Sequence, residues 1–183
     1  FGLLDDYPGQ CYPVDVLPAI AAIRRADAVL DTDHSAFVNR ARRAFESTRL
    51  DPQTELPAYV ADSKTGQGWG NARGVGIAFM LMWAPELWPE TAEQWYARYE
   101  HHFWQEGSLL AGVREFRGKH SFTESWFVDV DAGPVIAGYG TAASAFGIVD
   151  AAHQHDYAQC SRAVVPTDRT VAHGGVGVDC TLA

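Results

Sequence analysis

DVDAGPVIAGYGTAASAFGIV, residues 129–149, is the stretch on which the fold turns: a Gly/Pro-containing lead, then small and apolar residues with few polar positions. Two earlier stretches have the same layout, YPGQCYPVDVLPAIAAI at 7–23 and GWGNARGVGIAFMLMW at 68–83, so the pattern recurs about every sixty residues. Residues 75–83 and 135–149 are apolar around most of a helical circumference, which predicts helices buried on all sides.

A more polar helix follows each of them. Between 35 and 50, Phe37, Ala41, Ala44, Phe45 and Thr48 fall on one stripe, while Arg40, Arg42, Arg43 and Glu46 lie largely off it. Asp33 is suited to cap this helix and Asp51-Pro52 to stop it. The next begins at Pro89 and aligns Ala92, Trp95, Tyr96, Tyr99 and Phe103. The third, over 155–164, is short and closed by Pro166.

Buried inner helices with amphipathic outer ones describe two concentric layers. The expected fold class is mainly α: three antiparallel helix hairpins over 7–164, forming about half of an α/α toroid, then an irregular tail over 165–183. Half a ring leaves two apolar flanks, to be covered by further hairpins upstream or by a homo-oligomer. Residues 50–74 and 108–131 exceed ordinary helix connections. PAYVADSKTGQGW alternates around Lys64-Thr65-Gly66, and GVREF and SWFVDV have strand composition, which predicts short β-hairpin lids where the inner helices begin.

With 14 basic against 23 acidic residues the chain carries a formal charge of −9, which argues against nucleic acid and anionic membranes as partners; the basic cluster Arg40, Arg42 and Arg43 reads as the solvated face of a helix. Residues 132–152 lack the Leu, Ile and Phe density of a membrane span. The sequence opens on Phe1 without a signal-peptide pattern, so it reads as a mature or excised segment. Cys11, Cys160 and Cys180 form no CxxC pair; Cys160 and Cys180 could pair in an oxidising compartment, and the count fits a cytosolic chain equally well. The reading leans to an extracytoplasmic location, secreted or anchored through a missing segment. His101 and His102 are adjacent, and His153 and His155 face different sides of a helix, so no metal is expected. GGVG near Gly174 lacks the strand and helix of a phosphate loop, and no cofactor is expected.

The chemistry-bearing candidates cluster in the leads and lids. Asp129 and Asp131 alternate, so an extended segment would point them to opposite sides. Either one is a general acid, base or nucleophile at a cavity mouth, or Asp131 caps the helix from Ala132 and Asp129 orders the loop. Asp15 falls in the first turn of the first inner helix, where it complements the dipole; in a ring it would face the same end as Asp131, and the two would flank a substrate. Arg73 offers a fork for a substrate carboxylate or a catalytic Asp, or a structural ion pair. Arg114 and Glu115 alternate, one inward and one solvated, which makes Glu115 a further acid/base candidate and Arg114 a binding one. Tyr12, Trp69, Phe122 and Trp126 present flat rings suited to a sugar face or a hydrocarbon, or simply anchor loops.

YPVD opening a helix, the VREF-type segment and DVDAGPVIAGYG together resemble bacterial proteins of the six-hairpin (α/α)6 class. The likeness is to the C-terminal half of the toroid in six-hairpin glycosidase-like and linalool dehydratase/isomerase-like proteins, and spans Tyr7 to about Val164. It implies a cavity lined by inner-helix N-termini and their preceding loops. The class includes glycoside hydrolases, polysaccharide lyases, epimerases and a terpene-alcohol dehydratase; the cysteine-based terpene chemistry finds no cysteine pair here. The leading expectation is a carbohydrate-active hydrolase or lyase taking a small-molecule or glycan substrate. The alternatives are a non-catalytic extracytoplasmic binding or scaffold domain, and a dehydratase or isomerase of a small hydrophobic alcohol.

Overall fold

A computed structural model describes residues 4–47, 50–107, 111–118 and 126–153 of the chain. Among these the order is β1 (Gln10–Cys11), α1 (Pro13–Leu30), α2 (Ser35–Ser47), β2 (Val60–Asp62), β3 (Gly68–Trp69), α3 (Gly74–Leu81), α4 (Ala84–Leu87) and α5 (Pro89–Phe103). Then come β4 (Trp104–Glu106), β5 (Ala111–Val113), β6 (Phe127–Asp129), β7 (Gly133–Ile136), β8 (Tyr139–Gly140) and α6 (Thr141–His153). The strands form three small antiparallel sheets, β1-β2-β3, β4-β5 and β6-β7-β8. With 51% of the described residues in helix and 19% in strand this is a mixed α/β fold, which overturns the expectation of a mainly helical half-toroid carrying β lids.

The stretch at 129–149 is where the expectation fails. The Asp129 carboxylate accepts hydrogen bonds from the amides of Asp131 and Ala132, closing a tight turn that leads into Gly133 at φ 68°. The chain runs back along β6, with Val135 opposite Phe127, and then reverses again through Ala137 and Gly138, both at positive φ. Val135 and Ile136 are β-branched and suit this path. The helix starts only at Thr141, whose hydroxyl donates to the carbonyl of Pro134. Asp131 therefore sits in a strand-to-strand turn and caps no helix. Residues 155–164, the tail 165–183, Phe122, Cys160 and Cys180 lie outside the described residues.

The helices that the spacing predicts elsewhere are present. Pro13 occupies the first turn of α1, where its missing N–H costs nothing, and Val16, Leu17, Ile20 and Ala21 are buried. The Asp33 carboxylate accepts from the Ser35 amide at the start of α2. Along α5 the face made by Ala92, Trp95, Tyr96, Tyr99 and Phe103 is buried as a unit. Phe45 of α2 packs against Trp88 and Trp95, with ring centroids 5.6 and 6.2 Å away, and each such buried ring contributes roughly 1.5–3 kcal/mol.

α3 is the centre rather than one post of a ring. It packs against α1, α5 and α6, and all its residues except the half-buried Phe79 are buried. A Cβ on Gly74 would lie 2.0 Å from the carbonyl oxygen of Arg114, so only glycine lets the chain beyond β5 come this close; the Gly74 amide donates to the Glu115 carbonyl at 2.9 Å. Among the described residues no helix is long and apolar enough to cross a membrane.

Candidate functional site

Arg73 stands at the N-cap of α3 with extended backbone, and its lead-in is fixed by Asp51, whose carboxylate accepts from the Ala72 amide at 3.0 Å. Its guanidinium collects three carboxylates: Nε donates to Glu115 Oε1 at 2.7 Å, Nη2 lies 2.8 Å from Asp129 Oδ1, and Nη1 lies 3.6 Å from Asp131 Oδ2. It also lies over the rings of Tyr59, at 4.6 Å, and Phe116, at 5.1 Å. The Tyr59 hydroxyl donates to Asp131 Oδ2. The period-two expectation that Asp129 and Asp131 diverge is corrected here, because the strand ends at Asp129 and the turn swings Asp131 back to the same cation.

Glu115 and Arg114 depart from expectation in the same way. Both are buried, at 0% and 4% exposure, since pairing in β5 stops at Val113 and the chain then wedges between α3 and the β7–β8 turn. Arg114 donates to Gln105 and lies over the Tyr139 ring, while Glu115 Oε2 accepts from the Val75 amide at 3.2 Å. Burial pushes the Glu115 carboxyl above its ordinary value against the pull of Arg73. For Asp129, burial acts upward, but the Ala132 amide and Arg73 hold the carboxyl below its ordinary value. These three groups are therefore spent inside the structure.

Beside this network opens a cavity of about 380 Å³, within the range of small-molecule sites. Tyr7, Tyr12 and Tyr59 form one wall as a run of edge-to-face rings, with centroids 5.9 and 5.7 Å apart. Val14, Val75, Phe79 and Phe146 supply an apolar floor, and Gly76 leaves room above it. Two carboxylates reach the cavity, Asp15 from the first turn of α1 and Asp131 from the β6–β7 turn. Burial, then the negative charges of Asp6 and Asp131, raise the Asp15 carboxyl above its ordinary value. The Tyr59 phenol is raised too, first by burial and then by its bond to Asp131, so it stays a donor.

Tyr12, Asp15 and Asp131 are thus brought to one hollow, with Arg73, Glu115 and Asp129 directly behind it. Trp69 and Trp126 are about half exposed and do not line it. Four aromatic residues of the cavity escape the sequence reading, Tyr7, Tyr59, Phe79 and Phe146, as do Val14, Val75 and Gly76. Tyr59 lies inside the alternating PAYVADSKTGQGW segment, where its phenol gives no signal until the β6–β7 turn is placed opposite it. Among the described residues no cluster of His, Cys, Asp or Glu is arranged to hold a metal ion. The chain matches no protein-family model and no curated protein, so no relative lends it a residue assignment.

Proposed function

We propose that the protein is a carbohydrate-active hydrolase whose cavity holds a sugar ring against the tyrosine wall, with Asp15 as general acid and Asp131 as general base. The observation that carries this reading is the meeting of Asp15 and Asp131, from distant parts of the chain, in one aromatic-walled hollow. In the reaction the bond from the anomeric carbon to the leaving oxygen breaks, and Asp15 gives its proton to that oxygen. A water oxygen bonds to the anomeric carbon as Asp131 takes its proton. The raised affinity of Asp15 for its proton suits the acid role, and Tyr59 with Arg73 orients Asp131 for the other.

A hydrolase fits better than a lyase acting on a uronate. Such a lyase needs a cation to accept the substrate carboxylate, and Arg73 already faces three carboxylates of the protein. A dehydratase of a small hydrophobic alcohol is the second reading, favoured by the apolar floor of Val14, Val75, Phe79 and Phe146.

A panel of aryl glycosides tests the proposal. Turnover is expected from the wild type, with kcat reduced about 10²- to 10⁴-fold in Asp15→Asn at unchanged thermal stability. Turnover of a terpenol with every glycoside inert would select the second reading, and glycoside turnover untouched in both Asp15→Asn and Asp131→Asn would defeat the assignment.

A further inference from the structure

We infer that the cavity takes a ligand presenting a protonated amine, which, resting on the carbohydrate reading, makes the substrate an amino sugar with a free amine. Among the described lining residues the only charged side chains are Asp15 and Asp131, and neither Lys, Arg nor His reaches the hollow. Asp6 adds a third negative charge next to it, its carboxylate accepting from the Tyr12 amide at 2.6 Å. The nearest guanidinium, that of Arg73, is turned to Glu115, Asp129 and Asp131 and is covered by the Tyr59 ring.

The negative charges of Asp131 and Asp6 repel each other and oppose the ionisation of Asp15 in one small volume, and the wall beside them is built from tyrosine rings whose faces carry negative potential. A neutral sugar leaves that repulsion in place and an anionic one adds to it. An ammonium group offsets the carboxylates and gains from the rings as well, the two interactions that hold organic cations in aromatic cages. The net charge of −9 draws a cation toward the molecule before contact is made. The cavity is also roomy enough for a ring that carries the amine rather than for a bare ion.

Isothermal titration of the full chain at pH 6 and low salt, with glucosamine, N-acetylglucosamine, glucose and cyclohexylamine, tests the inference. Glucosamine is expected to bind about tenfold more tightly than glucose or the acetylated sugar. That preference should disappear in Asp131→Asn and in Asp15→Asn, two exposed positions whose variants are checked for folding by circular dichroism. Equal affinity for the three sugars would overturn the amine inference and leave the carbohydrate reading standing. Binding of cyclohexylamine with no sugar bound would keep the amine and overturn the carbohydrate reading. A glucosamine preference unchanged in both variants, or no binding by any of the four, would overturn the assignment to this cavity.

Discussion

Arg73 and Glu115, 42 residues apart, are joined by a 2.7 Å bond from Nε to Oε1, with the Glu115 side chain wholly buried and that of Arg73 only 11% exposed. The pair ties the start of α3 to the chain beyond β5, and Glu115 adds a bond from the Val75 amide and backbone bonds to Gly74 and Gly138. The back wall of the cavity depends on this junction.

Glu115→Ala is therefore expected to lower unfolding stability by about 3 kcal/mol, because a buried guanidinium loses its best partner. Glu115→Gln keeps an acceptor for Val75 and should cost less. Urea unfolding measures both; a loss below about 1 kcal/mol in the alanine variant would show the junction to be dispensable.

Gly76 offers a separation of fold from function. A Cβ there would meet its nearest heavy atom, Cδ2 of Tyr59, at 3.8 Å, an ordinary contact. Alanine in the interior of α3 should stabilise the helix by up to about 1 kcal/mol, yet its methyl group enters the cavity. Thermal unfolding should therefore rise while ligand affinity falls. A more stable variant with unchanged affinity would mean that the ligand does not reach Gly76.

Asp150 gives a pH dependence. Both of its carboxylate oxygens are buried with no hydrogen-bond partner among the described residues, and burial pushes the group well above the usual carboxylate range. The folded protein holds this proton more tightly than the unfolded chain, whose value is near 3.8. The favourable contribution is complete below that value and is lost as pH rises toward the folded one. Wild-type stability relative to Asp150→Asn should thus be greatest in acid and decline steadily above about pH 4. Urea midpoints for the two proteins from pH 4 to 8 check this, and a difference that stays flat with pH would contradict it.

The helices α1, α2, α3 and α5 are legible in the sequence because their information is local: Pro at a first turn, an apolar face at helical spacing, Asp before a start. The segment 133–140 is not, because its small residues satisfy a helical pattern as easily as an extended one. Its conformation is set from outside, by Phe127 opposite Val135 and by the Glu115 amide donating to the Gly138 carbonyl. Gly138 and Gly140 flanking Tyr139 are the one local hint of a reversal. In the site, Asp15, Arg73 and Asp131 stand out as charged residues beside turns, whereas Phe79 and Phe146 look like core and become a cavity floor only when α3 and α6 are packed together.

Amide chemical-shift mapping of the whole chain during titration with glucosamine is the most direct test of the hollow between α1, α3 and the β6–β7 turn. Perturbations are expected to concentrate on Tyr12, Asp15, Tyr59, Gly76 and Asp131, and to weaken in Asp131→Asn. Perturbations confined to the exposed rings of Trp69 and Trp126, with those five amides unmoved, would contradict it.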